Sequence, residues 1–285
     1  MNIKKAVKVL LSCVLAGALF TGCGGSSGGD NTKAPEAKPI KLGMITHLNA
    51  NEKKMEGILD NVTEKTGVNV SKYTITFYEN LRMMQMGIES GSVDQISVYE
   101  SVAKYITATN NHFAPTETSF GKLSDSFCFA VRKDDTELKA QLDKAIDEMK
   151  SDGTLDKLVK DYITDAEPDN IPAVEIPMTE GNETLKVGVT GDLPPLDLVL
   201  PDGTPAGFNT AMLAEIAKRI GRNVELVDID SGARAAALTS NQIDVIFWAV
   251  VPGNDKVPAD IDKPAGVEFS TPYFKDDISH LKYNK

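Results

Sequence analysis

Short apolar runs alternate with stretches of helical spacing from residue 40 onward. The runs at 40–45, 73–78 and 93–98 have the apolar or alternating pattern of β-strands. Apolar residues three or four positions apart predict helices around Met55 and over 81–88. Strands separated by helices are typical of parallel βαβ units, so this region predicts an α/β fold.

The pattern of this first region ends in two helices and an irregular segment. A strand is predicted over 126–131, and helices over 137–149 and 155–163 are divided at Gly153, a helix-stop signal. Residues 165–183 then contain three prolines and six acidic residues and show no apolar period. This composition predicts a linker.

A second α/β region follows the linker. Asp202-Gly203 predicts a hairpin turn, because glycine accepts the positive φ that such turns need. Apolar runs and helical spacing again predict the regular elements. The predicted strands are 185–189, 224–227 and 243–249, and the predicted helices are 211–220 and 233–238.

Composition and charge narrow the class of protein. The chain has 285 residues, of which 41% are hydrophobic, and its formal net charge is −11. This acidic balance argues against nucleic-acid binding, which needs lysine and arginine against phosphate. Three cysteines cannot build a disulfide scaffold, and three histidines without a close pair or a CxxC motif leave little for zinc. We therefore predict no metal site and no cofactor.

The first residues predict export and lipidation. Three lysines precede an apolar run at 9–20 that is too short to span a bilayer and has the shape of a secretory signal. The run leads to Cys23 in a sequence that resembles a bacterial lipobox, whose cysteine is lipidated. Residues 1–22 are then a signal peptide and 23–39 a flexible tether, with the protein anchored on the extracytoplasmic face of the cell membrane. The alternative is a plain secretory signal or an apolar amino-terminal anchor.

Several short motifs occur in order after residue 184. They are Leu185-Lys186-Val187-Gly188-Val189, Leu193-Pro194-Pro195-Leu196, Gly207-Phe208, Ile243-Asp244-Val245-Ile246 and Phe269-Ser270-Thr271-Pro272-Tyr273. On these motifs the region resembles the first lobe of the amino-acid-type extracellular solute-binding proteins of ABC transporters. The resemblance implies a two-lobed α/β fold of the type II periplasmic-binding-protein kind, which closes on a small solute.

The region before the linker resembles the second lobe and the closing helices of the same family. It carries Gly91-Ser92-Val93-Asp94, then Phe129-Ala130-Val131-Arg132, then Ser151-Asp152-Gly153-Thr154-Leu155. Together the two resemblances cover nearly all of residues 41–285. The lobes therefore stand in the reverse of the family order.

The reversed order predicts a circular permutation. Residues 40–127 correspond to the second lobe, and 128–164 to a crossover strand and the closing helices. Residues 165–183 join the old termini, and 184–285 correspond to the first lobe, with 277–283 long enough to rebuild a crossover strand at its end. The alternatives are a fragment of a tandem array and lobes exchanged between two molecules. We expect a monomer.

The resemblance implies a ligand cleft between the lobes, but the amino-acid clamp of the family is altered here. The interval 251–268, where the family carries an arginine for the solute carboxylate, contains none. Tyr99 stands where the second lobe offers an aspartate to the amine, and Asn49 lies in the altered anion loop 47–51. The candidate ligand-binding residues are Arg234, Trp248, Asp192, Tyr99, Glu100 and Asn49.

Each of these residue types also has an ordinary structural interpretation. Arg234 could be an exposed helix arginine, Trp248 a core aromatic and Glu100 a solvated carboxylate at a helix start. Asp192 could be a turn residue, and His47 is expected to be a loop histidine. The methionines at 83, 84 and 86 are expected to pack in the core.

The resemblance implies a lipid-anchored protein that captures an amino acid or related polar solute and delivers it to the permease of an ABC transporter. It is not expected to be an enzyme, since nothing in the sequence distinguishes an acid–base pair. Two alternatives remain open. One is a degenerate binding-protein adaptor or sensor without transport, which a cleft filled by the protein's own side chains would favour. The other is an enzyme of the dehydratase or lytic type on the same fold.

Overall fold

The structure is a computed structural model and describes residues 38–66, 73–116, 123–168, 170–253 and 257–285. The predicted signal peptide, Cys23 and nearly all of the predicted tether lie outside the described residues. Within the described ranges, no helix combines the length and apolar character needed to cross a membrane.

The elements of the chain form two groups, an amino-terminal lobe and a carboxy-terminal lobe. The amino-terminal lobe contains β1 (Ile40–Ile45), α1 (Glu52–Thr66), β2 (Tyr73–Tyr78), α2 (Leu81–Glu89), β3 (Gln95–Tyr99), α3 (Glu100–Thr109) and β4 (Phe113–Thr116). β5 (Ser124–Arg132), α4 (Thr136–Ser151) and α5 (Thr154–Val159) follow, with a π-helical turn at Lys160–Thr164.

The carboxy-terminal lobe follows the linker and ends in a long strand. It contains β6 (Thr184–Val189), β7 (Asp192–Leu193), β8 (Asp197–Val199), β9 (Pro205–Ala206), α6 (Phe208–Ile220), β10 (Asn223–Asp228), α7 (Arg234–Thr239), β11 (Val245–Pro252), β12 (Val267–Phe269) and β13 (Phe274–Tyr283). A turn of 3-10 helix at Ser231–Ala233 leads into α7.

The two lobes repeat one sheet order. The amino-terminal sheet runs β2–β1–β3–β13–β4 and the carboxy-terminal sheet β10–β6–β11–β5–β12. In each sheet the first three strands are parallel and the fourth is antiparallel. The fold is therefore the two-lobed α/β fold that the sequence predicts.

Two strands cross between the lobes. β5 leaves the amino-terminal lobe and pairs with β11 and β12, and β13 leaves the carboxy-terminal lobe and pairs with β3 and β4. Where they cross, residues 124–127 pair with 274–277 in antiparallel register. The strand predicted over 277–283 is confirmed, and it begins three residues earlier.

The closing helices and the linker pack on the carboxy-terminal lobe. α4 and α5 both contact α6, and Arg219 of α6 donates to Asp152 between them at 2.7 Å. Gly153 has a φ of 80°, which confirms the predicted break. The described linker residues form no helix or strand, and buried Val174 donates its N–H to the carbonyl of Pro205 at 2.8 Å.

Helix α2 corrects one prediction. Its start is capped by Asn80, whose side chain accepts from the N–H of Met83. Leu81, Met84 and Ile88 point into the core, but Met83 and Met86 are 51% and 60% exposed. The prediction of three core methionines was wrong for two of them, because residues 83 and 86 share the outer face of the helix.

Candidate functional site

The site lies between the lobes, next to the crossing strands. The carboxyl ends of β1 and β3 from one lobe approach β7 and β11 of the other, and ligands of open α/β sheets bind at such strand ends. The loop after β1, at residues 46–51, reaches across to the carboxy-terminal lobe. We call this segment the clasp loop.

Trp248 occupies the centre of the cleft. It lies at an irregularity in the β5–β11 pairing and has a φ of 65°, which costs a non-glycine residue about 1–2 kcal/mol. It is only 5% exposed, and its buried Nε1 has no hydrogen-bond partner among the residues that the structure describes. Strained backbone and unpaired buried polar atoms concentrate at functional sites.

Arg234 lies beneath this tryptophan at the start of α7. It is 2% exposed, and its guanidinium carbon is 4.7 Å from the centre of the Trp248 ring. Its nitrogens donate to the carbonyls of Ser231, Phe247 and Trp248 at 3.2–3.4 Å. Burial lowers the pKa of Arg234 to about 10, and the charges of Asp262 and Asp197 oppose that shift.

No carboxylate of the described residues lies within ion-pair distance of Arg234. A buried guanidinium without a carboxylate partner is costly unless another anion compensates it. The arrangement can therefore hold an anionic group.

Tyr99 covers Trp248 from the amino-terminal lobe. The two rings meet edge to face with centroids 6.2 Å apart. The Tyr99 hydroxyl donates to Asp125 Oδ2 at 3.0 Å, so a carboxylate of β5 lies behind the ring. Burial raises the pKa of Asp125, while the positive charge of His47 opposes the shift.

The clasp loop is bound through Asp262 of the carboxy-terminal lobe. Asp262 Oδ1 accepts the N–H groups of Asn49 and Ala50 at 2.9 and 3.3 Å, and Oδ2 is 3.7 Å from His47 Nδ1. Burial alone would lower the pKa of His47, but the nearby carboxylate of Asp262 outweighs it and raises the pKa above 6.5. Asn49 Nδ2 also donates to the carbonyls of Ile261 and Lys263 at 3.3 and 3.0 Å.

A second set of contacts joins the lobes at the rim of the cleft. Glu79 accepts the N–H of Gly232 at 2.8 Å, and Asp192 accepts the N–H of Arg82 at 3.2 Å. Burial raises the pKa of Asp192 to about 6, although the hydrogen bond from Arg82 lowers it. The other oxygen of Asp192 is buried and has no hydrogen-bond partner within the described part of the chain.

The space left between these groups is small. A cavity of about 40 Å³ lies between His47, Ser97, Tyr99, Asp125, Leu193 and Trp248. That is room for a water molecule, whereas small-molecule sites have roughly 300–1,000 Å³. In this arrangement the protein's own side chains fill the cleft. Among the residues that the structure describes, no group of three or more His, Cys, Asp or Glu side chains is arranged to hold a metal ion.

The family model for bacterial extracellular solute-binding proteins, family 3, matches residues 52–165 and 185–282, which is well over half of the chain. The chain belongs to this family. Among curated proteins, none matches it. This solute-binding protein has the two lobes and the cleft described above, and the family acts outside the cytoplasm.

Solved structures with a similar fold share little sequence with this solute-binding protein. One is the ligand-binding component of an ABC-type import system from Staphylococcus aureus with zinc bound, at 10% identity and a TM-score of 0.43. That match covers 86% of this chain and 66% of the other, just under two thirds.

Two further structures were solved with amino acids. A nutrient binding protein from Burkholderia cenocepacia bound to methionine has 12% identity and a TM-score of 0.38, over 85% of this chain and 84% of the other. The GluR0 ligand-binding core from Nostoc punctiforme with L-glutamate has 10% identity and a TM-score of 0.37, over 87% and 86%.

The structure gathers some of the predicted site residues and separates others. Arg234, Trp248 and Tyr99 form one contiguous group in the cleft, with Arg234 over the Trp248 ring and Tyr99 edge to face with it. Asn49 lies in the clasp loop and Asp192 at the rim. Glu100 does not join them: its side chain is 45% exposed and lies 3.9 Å from Lys104 on the helix surface.

Sequence reasoning missed Asp262 and Asp125 and treated His47 as a loop residue. Asp262 lies in an irregular stretch between β11 and β12, where no motif marks it. Asp125 is the second residue of the crossover strand β5 and lies one residue before the predicted start. The aspartate expected from the family pattern at residue 99 is replaced by tyrosine, which could have prompted a search for another carboxylate beside it.

Proposed function

We propose that this protein is a lipid-anchored extracytoplasmic solute-binding protein. It captures a small polar solute, an amino acid or a related compound, between its two lobes and delivers it to the permease of an ABC transporter. Cys23 carries the lipid, and the chain is a monomer whose lobes stand in permuted order. Binding, rather than catalysis, is its activity.

The observation that carries this proposal is the buried guanidinium of Arg234 in the cleft, with no carboxylate at ion-pair distance among the described residues. An anionic group of the solute, such as a carboxylate, would supply the missing charge, and planar guanidinium geometry suits it. Tyr99 and Asp125 lie on the opposite wall, where they can receive a donor group. For a solute to reach Arg234, Trp248 has to move and the lobes have to open.

The family match and the two crossing strands support the permuted order. The match breaks across the linker, between residues 165 and 185. β13 is the antiparallel fourth strand of the amino-terminal sheet, and β5 has the same position in the carboxy-terminal sheet. With both crossings made inside one chain, no partner is needed to complete either sheet.

A second candidate is a binding-protein adaptor or sensor that works without a transported solute. The filled cleft favours it, because the cavity of about 40 Å³ leaves no space for a solute in the closed arrangement. The two candidates differ in whether any solute stabilises the protein.

Thermal unfolding of residues 30–285, refolded to remove bound solute, tests the proposal. The panel contains amino acids, small peptides, amines and carboxylates. A solute at a hundred times its dissociation constant adds roughly 2.7 kcal/mol to the free energy of unfolding and raises the midpoint by several degrees. Arg234→Ala, which removes a charged hydrogen-bond donor, should weaken binding by roughly 10–100-fold.

Arg222→Ala is the matched control, because Arg222 belongs to the same lobe and pairs with Glu183 on the surface. It should leave the solute-induced shift unchanged. Absence of a shift with every compound on the panel would contradict solute binding and favour the adaptor.

A further inference from the structure

The clasp loop joins the two lobes through both apolar packing and hydrogen bonds. Leu48 packs against an apolar cluster of the carboxy-terminal lobe that includes Ile246 and Ala249. The next two residues, Asn49 and Ala50, present their N–H groups to Asp262. Apolar burial and hydrogen bonding therefore act on the same short loop.

Asp262 behaves in this contact as a bound anion would. Asp262 is 2% exposed. In space its carboxylate lies next to the amino-terminal end of α1, where the positive end of the helix dipole favours negative charge. Both of its oxygens face the clasp loop, one toward two backbone N–H groups and the other toward His47. Asp262 belongs to the carboxy-terminal lobe and the clasp loop to the amino-terminal lobe, so their contact exists only when the lobes are closed.

Trp248 completes the arrangement by filling the space over Arg234. With its ring between Arg234 and Tyr99, the apolar centre of the cleft is packed, and the small cavity described above lies beside it. Closing without a solute would otherwise leave a large void, which folded proteins avoid because packing contacts are lost.

We propose that the protein supplies its own ligand: the Asp262 carboxylate occupies the clasp loop and holds the lobes closed over Trp248 when no solute is present. An anionic solute reaches Arg234 only when the lobes open and Asp262 leaves the N–H groups of Asn49 and Ala50, so its apparent affinity is set by that competition. This consequence rests on the proposed solute binding, whereas the closed solute-free state does not.

The self-closed state depends on pH through His47. The charged and titratable groups that face it are Asp262 and Arg234 from the carboxy-terminal lobe and Asp125 of β5, with the Tyr99 hydroxyl nearby. Because closing raises the pKa of His47, the closed state holds the proton more tightly than the open state. Closure is therefore favoured below the ordinary histidine pKa of about 6.5 and weakens as the pH rises through the raised pKa of His47.

Fluorescence of Trp248 tests the proposal without any solute, because it is the only tryptophan of the chain. In the purified, solute-free protein we expect blue-shifted emission and slow quenching by acrylamide. Asp262→Ala should give red-shifted emission and a several-fold larger quenching constant, with the far-ultraviolet circular dichroism unchanged. Acetate replaces the missing carboxylate and should restore the shielding in this variant, while chloride at the same ionic strength should not.

Asp260→Ala is the matched control, because it makes the same change on an exposed residue of the same loop. It should behave as the wild type. Asp262→Asn keeps an acceptor oxygen and loses the charge, so it should fold and should lose part of the pH dependence of quenching between pH 6 and 8. His47→Gln should lose the same part of the pH dependence. The double variant, Asp262→Asn with His47→Gln, should lose no more of it than either single variant.

A solute-free wild type whose Trp248 is quenched as fast as in Asp262→Ala would overturn the proposal. The proposal would also be overturned if Trp248 is as well shielded in Asp262→Ala as in the wild type. The same holds if Trp248 is exposed in Asp262→Ala and acetate does not restore its shielding. These readings are independent of the solute panel. A protein that closes on Asp262 but binds nothing on the panel keeps this inference and loses the proposed transport function.

Discussion

At the scale of single residues, several ionisable side chains of this protein are held away from water. His280 of β13 is the histidine whose surroundings change its chemistry most clearly. It is buried, its ring meets that of Tyr73 edge to face at 5.8 Å, and burial lowers its pKa to about 4. The folded protein therefore keeps His280 neutral at pH values where the unfolded chain, with a pKa near 6.5, takes up a proton.

The buried histidine predicts a loss of stability in mild acid. Since the unfolded state binds more protons between pH 6.5 and 4, the free energy of unfolding falls as the pH decreases through that range. From pH 7.5 to pH 5 this one group should remove about 2 kcal/mol, which His280→Asn should not lose. Urea unfolding of both proteins at the two pH values measures the difference.

The exposed histidine at position 112 provides the control for this prediction. His112→Asn should keep the wild-type dependence on pH. Comparing wild type with variant cancels the buried carboxylates, such as Asp125 and Asp192, whose raised pKa values act in the opposite direction. Equal pH dependence in wild type and His280→Asn would show that this histidine is not responsible.

At the scale of elements, two helices begin in ways that only their neighbours explain. α3 has no side-chain cap of its own, and Asp276 of β13 accepts the N–H and the hydroxyl of Ser101 instead, at 3.2 and 2.6 Å. α6 begins at Phe208, three residues before its predicted start, because Gly207 turns the chain with φ 96° and ψ 169°. That region of conformation is essentially restricted to glycine.

Gly207→Ala should therefore destabilise the protein. An added Cβ would lie 2.8 Å from the carbonyl oxygen of Pro195 and 2.9 Å from that of Leu196, and the backbone cannot move away as a flexible side chain could. Strain and overlap together should lower the free energy of unfolding by about 2–4 kcal/mol. Urea unfolding at pH 7.5 measures it.

Gly57→Ala is the matched substitution in a helix without such a restriction. Nothing lies within 4 Å of a Cβ built at Gly57 of α1, so alanine should raise the stability by up to about 1 kcal/mol. Opposite signs for the two substitutions are expected. A neutral result at Gly207 would mean that the turn before α6 can rearrange.

At the scale of the whole molecule, the two lobes share their crossing strands and a large part of their core. β13 pairs with β3 and β4 in the amino-terminal sheet, and near its start it also pairs with β5, the fourth strand of the carboxy-terminal sheet. The largest apolar cluster extends from Ile96 and Phe127 to Trp248 and Leu213, across both lobes. Neither sheet can lose its fourth strand without disturbing the other.

The shared strands predict a single unfolding transition. Calorimetry should give one peak with equal calorimetric and van't Hoff enthalpies, because the lobes cannot unfold separately. Two resolved peaks would contradict this. Light scattering after size exclusion at several concentrations should give the mass of one chain, whereas a dimer would support lobes exchanged between two molecules.

Much of the secondary structure was predictable because it follows from local apolar patterns. β1 and β2 match their predicted bounds, and the break at Gly153 occurs where the glycine stands. The short strands β4, β7 and β12 were not predicted, because two to four residues at a sheet edge carry no period of their own.

By itself, the sequence determined the α/β class, the two regions on either side of the linker, and the residue types Arg234, Trp248 and Tyr99 as candidates. These depend on patterns within short windows. Only the tertiary structure decided that Trp248 fills the cleft and that Asp262 binds the clasp loop. It also decided that no carboxylate of the described residues pairs with Arg234. The contact of Asp262 with the clasp loop joins residues 213 positions apart, and no local pattern specifies which distant carboxylate a loop will meet once the lobes close.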